Sequence, residues 1–542
     1  MDLRFLGGAT TVTGSQFLLT TTQAKVLVDC GMFQGSPNEA VRNRVPFAYD
    51  PAEIDAVVLT HAHLDHCGLL PVLVREGYRG PIHATAGTVE LATLVLLDSG
   101  HLHEEFAKRE ARWEKRHPDK VAADDRAERE AYDAAVDLAA AGGSEEAAVE
   151  TTGEHVATTI EPVTDVAPVT GWPHDPEAEL RLQPPELVVD LDAPLYSVKD
   201  AERVIPQFAP LNYDEELEVA PGVWATFLDA GHILGSAIIR LRVRERDGEE
   251  RTIVCSGDLG RPGTPILRDP TVLTAADYVL VESTYGGREH EPEAEAIQVL
   301  AETIRLVNDA KGVLLVPSFA IGRTQEVVWE LDRLIERGEI PLLPLYLDSP
   351  MASKASDIYR HHPEYYDEET AKLLREGDTP LDYPNQTITN DVKASQAIEH
   401  APRPYMIVAS NGMLTGGRVV GHLRWLIDDP GATILFVGYQ GQGTLGAHLQ
   451  AGAKTVKLDG AVREVKCKVK SISGFSAHAD ESELLDWIGN FAKGRHPGSP
   501  GYPKQVFLVH GDPEAQIAIA PKVAALGFEV HVPHWRERLT LT

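Results

Sequence analysis

Residues Thr60-His61-Ala62-His63-Leu64-Asp65-His66 place three imidazoles and a carboxylate within six consecutive positions. They directly follow Ala56-Val57-Val58-Leu59, an apolar run that predicts a buried strand. Neutral imidazole nitrogen and carboxylate oxygen are good ligands for zinc and similar divalent ions. Where a strand ends, the backbone can turn so that all four side chains reach one place. The pattern therefore demands a fold that delivers further ligands to the end of this strand.

Four other strand ends carry such residues. Asp29 follows Lys25-Val26-Leu27-Val28, and His232 lies in Asp229-Ala230-Gly231-His232-Ile233-Leu234-Gly235. Asp258 lies in Cys255-Ser256-Gly257-Asp258-Leu259-Gly260, and His510 follows Phe507-Leu508-Val509. Each apolar run delivers one ligand-type residue into a turn that contains glycine, where the backbone can approach closely.

At 542 residues the chain exceeds one compact core, so two or more domains are expected. Arg4–Leu6, Phe17–Leu19, Lys25–Asp29 and Ala56–Thr60 read as strands, and Leu69–Gly77 and Val89–Leu97 as helices. Residues 104–190 differ, with 22 Asp or Glu against 9 Lys or Arg. Glu104–Ala141 reads as helix, and Gly142–Pro185 as an aperiodic, solvated insertion. His101 and His103 fall two apart on a helix and point in different directions, so they are expected not to be ligands, like His117 and His174 in the insertion. Residues 289–468 alternate strand and helix, the pattern of an α/β domain with a parallel sheet. Residues 469–542 return to strands around a helix at Glu481–Phe491.

The four cysteines are widely spaced without a CxxC pair, which fits reduced thiols. The N-terminus begins on a strand-like run without a basic leader, and no apolar stretch is long enough to span a membrane, so a cytoplasmic location without membrane contact is expected. The formal charge of −32 repels nucleic acid and by itself argues for a small-molecule hydrolase.

Longer motifs redirect that argument. Val281-Glu282-Ser283-Thr284-Tyr285-Gly286, Phe475-Ser476-Ala477-His478-Ala479-Asp480 and Leu508-Val509-His510-Gly511 resemble the motifs of β-CASP nucleases, a branch of the metallo-β-lactamase fold. The runs Pro317–Glu326, Leu347–Met351 and Asn411–Gly417 match the same family. The resemblance covers nearly the whole chain apart from residues 104–190. It implies an α/β architecture: an αββα sandwich in residues 1–288 and 469–542, with a β-CASP domain inserted at 289–468.

By that resemblance, His61, His63 and His232 hold one zinc ion, and Asp65, His66 and His510 hold another. Asp258 and a hydroxide bridge the pair. Asp29 and Glu282 stand behind the ligands, orienting an imidazole and His478 respectively. His478 is a general acid or a phosphate contact, and with Glu282 and Asp65 makes up the catalytic set. Ser318 and Arg323, at a strand-to-helix turn, and Gly416 and Gly417, in a glycine-rich turn, are candidate phosphate contacts. Arg418 and Lys354 are candidate local positive charges.

The implied activity is hydrolysis of RNA phosphodiester bonds that leaves 5′-phosphate and 3′-hydroxyl ends, endonucleolytic with room for 5′–3′ exonuclease action. A histidine in the third motif resembles RNA-processing rather than DNA-repair members. The competing readings are a lactamase- or glyoxalase-type small-molecule hydrolase, a DNA-directed β-CASP nuclease, and an inactive scaffold; the complete ligand set disfavours the last. The expected partners are RNA, a second copy of the chain in a homodimer, and a protein contact for the acidic insertion. Asp512 stands where many relatives have Glu, with no effect expected on metal.

Overall fold

The computed structural model describes residues 1–35, 37–140, 191, 193–438, 440–441, 443–458 and 460–542. Two seven-stranded sheets face each other. The first runs in the order Glu537–Thr540, Asp2–Gly7, Gln16–Thr20, Lys25–Val28, Ala56–Val58, Ile82–Thr85, Phe208–Leu211. The second runs Val530–His531, Gln505–Val509, Tyr278–Glu282, Glu250–Cys255, Ala237–Arg244, Val223–Asp229, Glu216–Ala220.

Side-chain period explains the layers. In Ala237–Arg244, residues Ile239, Leu241 and Val243 are buried while Arg240, Arg242 and Arg244 face outward. Phe5, Phe17, Phe227 and Phe507 fill the space between the sheets. Each such buried side chain contributes about 2–3 kcal/mol relative to exposure. The central strands are apolar on both faces because helices cover the outer ones. Leu70–Arg75, Ala86–Glu114 and Val198–Val204 cover the first sheet, and Glu481–Gly489 and Pro513–Ala525 the second.

Lys25–Val28, Ala56–Val58 and Ile82–Thr85 run parallel, as do Glu250–Cys255, Tyr278–Glu282 and Gln505–Val509. Their carboxyl ends form one edge of the sandwich, and the ligand-type residues leave from that edge.

A third sheet of six strands is parallel in every pairing, in the order Gln386–Ile388, Leu345–Asp348, Tyr405–Ala409, Val313–Pro317, Ala432–Phe436, Lys468–Ser471. Glu293–Asp309 and Arg323–Glu336 cover one face, and Gly417–Leu426 the other. Its last strand reaches Ser471, three residues past the boundary expected from sequence, because Lys468–Ser471 pairs with Ala432–Phe436 before the chain returns to the sandwich.

The acidic region opens with two helices, Ala86–Glu114 and Pro118–Ala140, as the Glu104–Ala141 expectation required. The solvated stretch expected at Gly142–Pro185, with His174, lies outside the described residues. His101 is exposed, and His103 packs 4.9 Å from the Tyr196 ring with its pKa pushed down to about 4 by burial. His117 turns Nδ1 to the Trp113 carbonyl at 3.0 Å. All four cysteines are free and buried. Among the described residues, no helix is long and apolar enough to cross a membrane.

Candidate metal centre

His61 leaves the end of Ala56–Val58, and His63 stands just before the short helix Leu64–Cys67, which carries Asp65 and His66. Close packing fixes this loop. A Cβ on Gly31 would sit 1.7 Å from the Asp65 carbonyl oxygen, so the segment after Asp29 touches the ligand loop only because it has no side chain there. Asp29 and His510 both adopt left-handed backbone, φ 58° and 49°, each immediately after its strand. That turn swings each side chain out of the strand direction and into the centre.

Two groups form. His61, His63, His232 and Asp258 each place one ligand atom within 4.8 Å of the others, and so do Asp65, His66 and His510. In the first group His63 Nδ1 is 3.1 Å from His61 Nε2 and 3.2 Å from His232 Nε2. Asp258 Oδ2 faces the same atoms, 3.5 Å from His61 and 3.6 Å from His232. In the second, His66 Nε2 is 3.2 Å from His510 Nε2, which lies 3.6 Å from Asp65 Oδ2. Asp258 Oδ1 turns to this group, 3.2 Å from His66 Nε2. One carboxylate thus addresses both groups, an oxygen to each.

The outer nitrogens fix which ring atoms point inward. His66 Nδ1 lies 2.8 Å from Asp29 Oδ2, and His232 Nδ1 is 3.1 Å from the Ala477 carbonyl. Donation there leaves Nε2 with its lone pair toward the centre. Asp29 is itself held by the Thr60 N–H at 2.7 Å and the Thr60 hydroxyl at 2.9 Å.

Electrostatics agree with that arrangement. Burial, helped by neighbouring imidazoles, pushes His61, His63 and His232 down and keeps them neutral. Burial opposes charge on Asp258 and Asp65, but the facing histidines outweigh it and hold both carboxyls below the usual range. His66 departs from this: burial disfavours its charge, yet Asp258 and Asp29 raise it well above an ordinary imidazole, so without a cation Nε2 carries a proton that a metal ion would have to displace. Asp258 Oδ1 is buried and makes no well-aligned hydrogen bond, although His66 Nε2 and His510 Nδ1 face it at 3.2 and 3.4 Å. Converging imidazoles, two ionised carboxylates and this poorly satisfied buried oxygen fit the binding of divalent metal.

Beside the centre, Asp258, Glu282 and His478 form a third group. His478 Nδ1 is 3.2 Å from Glu282 Oε2 and 4.0 Å from Asp258 Oδ2. Burial would lower His478, but Glu282 overcomes it and the pKa rises to about 9. The loop carrying His478 joins the third sheet to the helix Glu481–Gly489, which Asp480 caps. It is pinned at the Ala479 N–H by the Leu259 carbonyl at 2.8 Å, and at the Gly474 carbonyl by Arg261 at 2.6 Å. Sequence gave no reason to notice His290, whose Nε2 lies 3.1 Å from the His478 carbonyl; no motif or spacing marks it.

The remaining sequence candidates occupy the inserted domain. Ser318 is buried, its hydroxyl accepting from Thr324 at 3.1 Å, so it closes the strand-to-helix turn rather than facing a ligand. Arg323 is 5 % exposed and paired with Glu326 at 2.5 Å, so its charge is already engaged. Gly417 is left-handed, φ 78°, and a Cβ there would meet the Ser410 carbonyl at 2.7 Å; Gly416 precedes it in extended backbone with open space around it. Arg418 is no solvated surface charge. It pairs at 2.7 Å with the fully buried Asp348, which also takes His422 Nε2 at 2.6 Å. Arg418 and His422 stand one helical turn apart, a spacing that marks a shared partner. A fourth acidic group, Asp332, Glu336 and Asp378, is tied together by Arg333 at 2.6–2.8 Å and is an ion-pair network.

Comparison with known proteins matches three family models. Residues 9–138 match the metallo-β-lactamase superfamily, 324–449 the β-CASP domain, and 462–533 the Zn-dependent metallo-hydrolase RNA specificity domain. The chain is 34 % identical to a ribonuclease of Thermus thermophilus over 98 % of each chain. It is 30 % identical to the transcription termination factor FttA of Methanosarcina mazei, over 96 % of this chain and 68 % of that one. The FttA of Methanothermobacter thermautotrophicus is 28 % identical with similar coverage, 96 % and 68 %. The sandwich, the inserted parallel sheet and these matches agree: the chain belongs to the β-CASP family of metallo-β-lactamase-fold hydrolases.

Proposed function

We propose that this chain is a two-zinc ribonuclease that cuts RNA internally and leaves 5′-phosphate and 3′-hydroxyl ends. The observation that carries the reading is Asp258, whose two oxygens face two separate sets of ligand atoms beside the His478–Glu282 pair. His61, His63, His232 and Asp258 would hold one ion, and Asp65, His66, His510 and Asp258 the other. Such a pair supplies Lewis acidity toward a phosphate and makes water acidic enough to react near neutral pH.

The protein's own groups do the rest. Asp29 and the Ala477 carbonyl keep His66 and His232 in the tautomer that presents Nε2. His478 donates its proton to the departing 3′ oxygen, and Glu282 keeps it protonated and aimed. The 2′-hydroxyl takes no part, so preference for RNA comes from binding; the Thermus relative, named a ribonuclease, supports RNA. With a net charge of −32, the field around the chain does not attract a polyanion, so affinity rests on the centre itself.

The test compares a circular RNA, the same RNA linearised with a 5′-phosphate or 5′-triphosphate, and DNA of the same sequence. Cleavage of the circle and of both linear forms, lost on chelation and restored by zinc, is the expected result. A linear-only substrate range would replace internal cutting with exonuclease action, and cleavage of DNA alone would overturn the RNA assignment.

A further inference from the structure

Two crossovers join the sandwich to the inserted domain. The outgoing one follows Tyr278–Glu282 and leads to the helix Glu293–Asp309; the return one leaves Lys468–Ser471, carries His478 and enters the helix Glu481–Gly489. Hydrogen bonds stitch the two together. Ser473 N–H reaches Glu291 Oε1 at 2.7 Å, His290 N–H reaches Asp480 Oδ2 at 3.2 Å, and Gly287 N–H reaches Glu481 Oε2 at 2.6 Å. Within this seam His290 presents Nε2 to the His478 carbonyl at 3.1 Å. A carbonyl only accepts, so Nε2 is the donor. The other ring nitrogen, Nδ1, is buried and makes no hydrogen bond. The Tyr285 ring stands edge-on to the imidazole, 4.3 Å between centroids. Burial, with Arg261 adding to it, pushes His290 down to about 4, so at neutral pH the ring is uncharged and keeps its one proton on Nε2.

That contact completes a clamp on a single peptide unit. The carbonyl of the His478–Ala479 peptide accepts from His290, and its N–H reaches the Leu259 carbonyl at 2.8 Å. Leu259 N–H in turn reaches Glu282 Oε1 at 2.6 Å, and Glu282 is the carboxylate that faces the His478 ring. On the other side of the residue, His478 N–H meets the Ser476 hydroxyl at 3.3 Å. A peptide unit is planar, so holding both its polar groups fixes the plane. With the planes on either side held, the Cα–Cβ bond of His478 has one direction, toward Glu282. Leu259 alone would leave the plane free to tilt about a single bond.

We propose that His290 is a positioning residue: by holding the His478 carbonyl it aims the His478 imidazole, and it touches neither substrate nor metal. The inference rests on His478 as the proton donor in the reaction proposed above; the seam and the clamp themselves do not.

His290→Phe keeps a ring and removes the donor. Its kcat on RNA is expected to fall by about 10–10²-fold, part of what a general acid contributes, while KM and zinc content stay close to wild type. His290→Gln, whose amide N–H reaches about as far as Nε2, should restore most of the rate. The loss should be at least about fivefold smaller on bis(p-nitrophenyl) phosphate, whose leaving group needs no proton. If His290→Phe fails to fold, His290→Asn takes its place, because its amide is too short to reach the carbonyl. A crystal structure of the variant reads the aim without substrate: His478 Nδ1 should leave hydrogen-bond distance of Glu282. Wild-type kcat on RNA, an equal loss on both substrates, no rescue by Gln, or an unmoved His478 ring would overturn the proposal. A wild type that hydrolyses the aryl ester but leaves RNA intact would overturn the RNA reading instead, and the crystal structure then decides for or against His290 by itself.

Discussion

Asp258→Asn is expected to lower kcat by about 10³-fold or more, equivalent to at least about 4 kcal/mol of lost transition-state stabilisation. The substitution keeps the side chain's shape and removes what matters about it. In the wild type each oxygen faces a separate imidazole group, and the carboxyl stays ionised because His510, His66 and His61 overcome its burial. An amide carries no charge and has to turn its NH2 toward one of the two groups. Bound metal should therefore fall together with turnover, measured by elemental analysis of the purified variant beside steady-state kinetics. Full metal content with full activity in Asp258→Asn would remove the residue from the centre.

His478→Ala is expected to reduce kcat by about 10²–10⁴-fold, the usual contribution of a general acid. Metal content should not change, because His478 approaches Asp258 only to 4.0 Å and its close partner is Glu282. The pH profile separates proton donation from structural support. Glu282 raises His478 to about 9, so the acid is protonated below that pH and is lost as pH rises through it. Nearby cations act in the opposite sense, so the alkaline limb should fall at or below about pH 9. Glu282→Gln removes the charge that raises the pKa, so the limb should move down toward the ordinary imidazole value near 6.5. An alkaline limb that stays in place in Glu282→Gln would separate His478 from proton donation.

The strand-end ligands were legible because each sits beside its own apolar run, and a run of four to six residues reveals a strand by itself. What joins those ends is non-local. That His510, 444 residues beyond His66, comes within 3.2 Å of it depends on sheet pairing that periodicity does not encode. The motif resemblance supplied that connection, and the left-handed turns at Asp29 and His510 show how the backbone achieves it. Residues near the third sheet were less legible, because polar side chains at turns look alike in sequence whether they bind a ligand or each other. Ser318 and Arg323 are consumed by Thr324 and Glu326, and Arg418 by Asp348. His290 meets the His478 carbonyl across 188 residues of chain, and no local pattern announces it.

The central claim is that one carboxylate separates two cation sites. Anomalous diffraction at the zinc edge, on crystals of the zinc-loaded protein, tests it most directly. The expected result is two peaks on either side of Asp258, one among His61, His63 and His232 and the other among Asp65, His66 and His510. A single peak, or none among these residues, would contradict it.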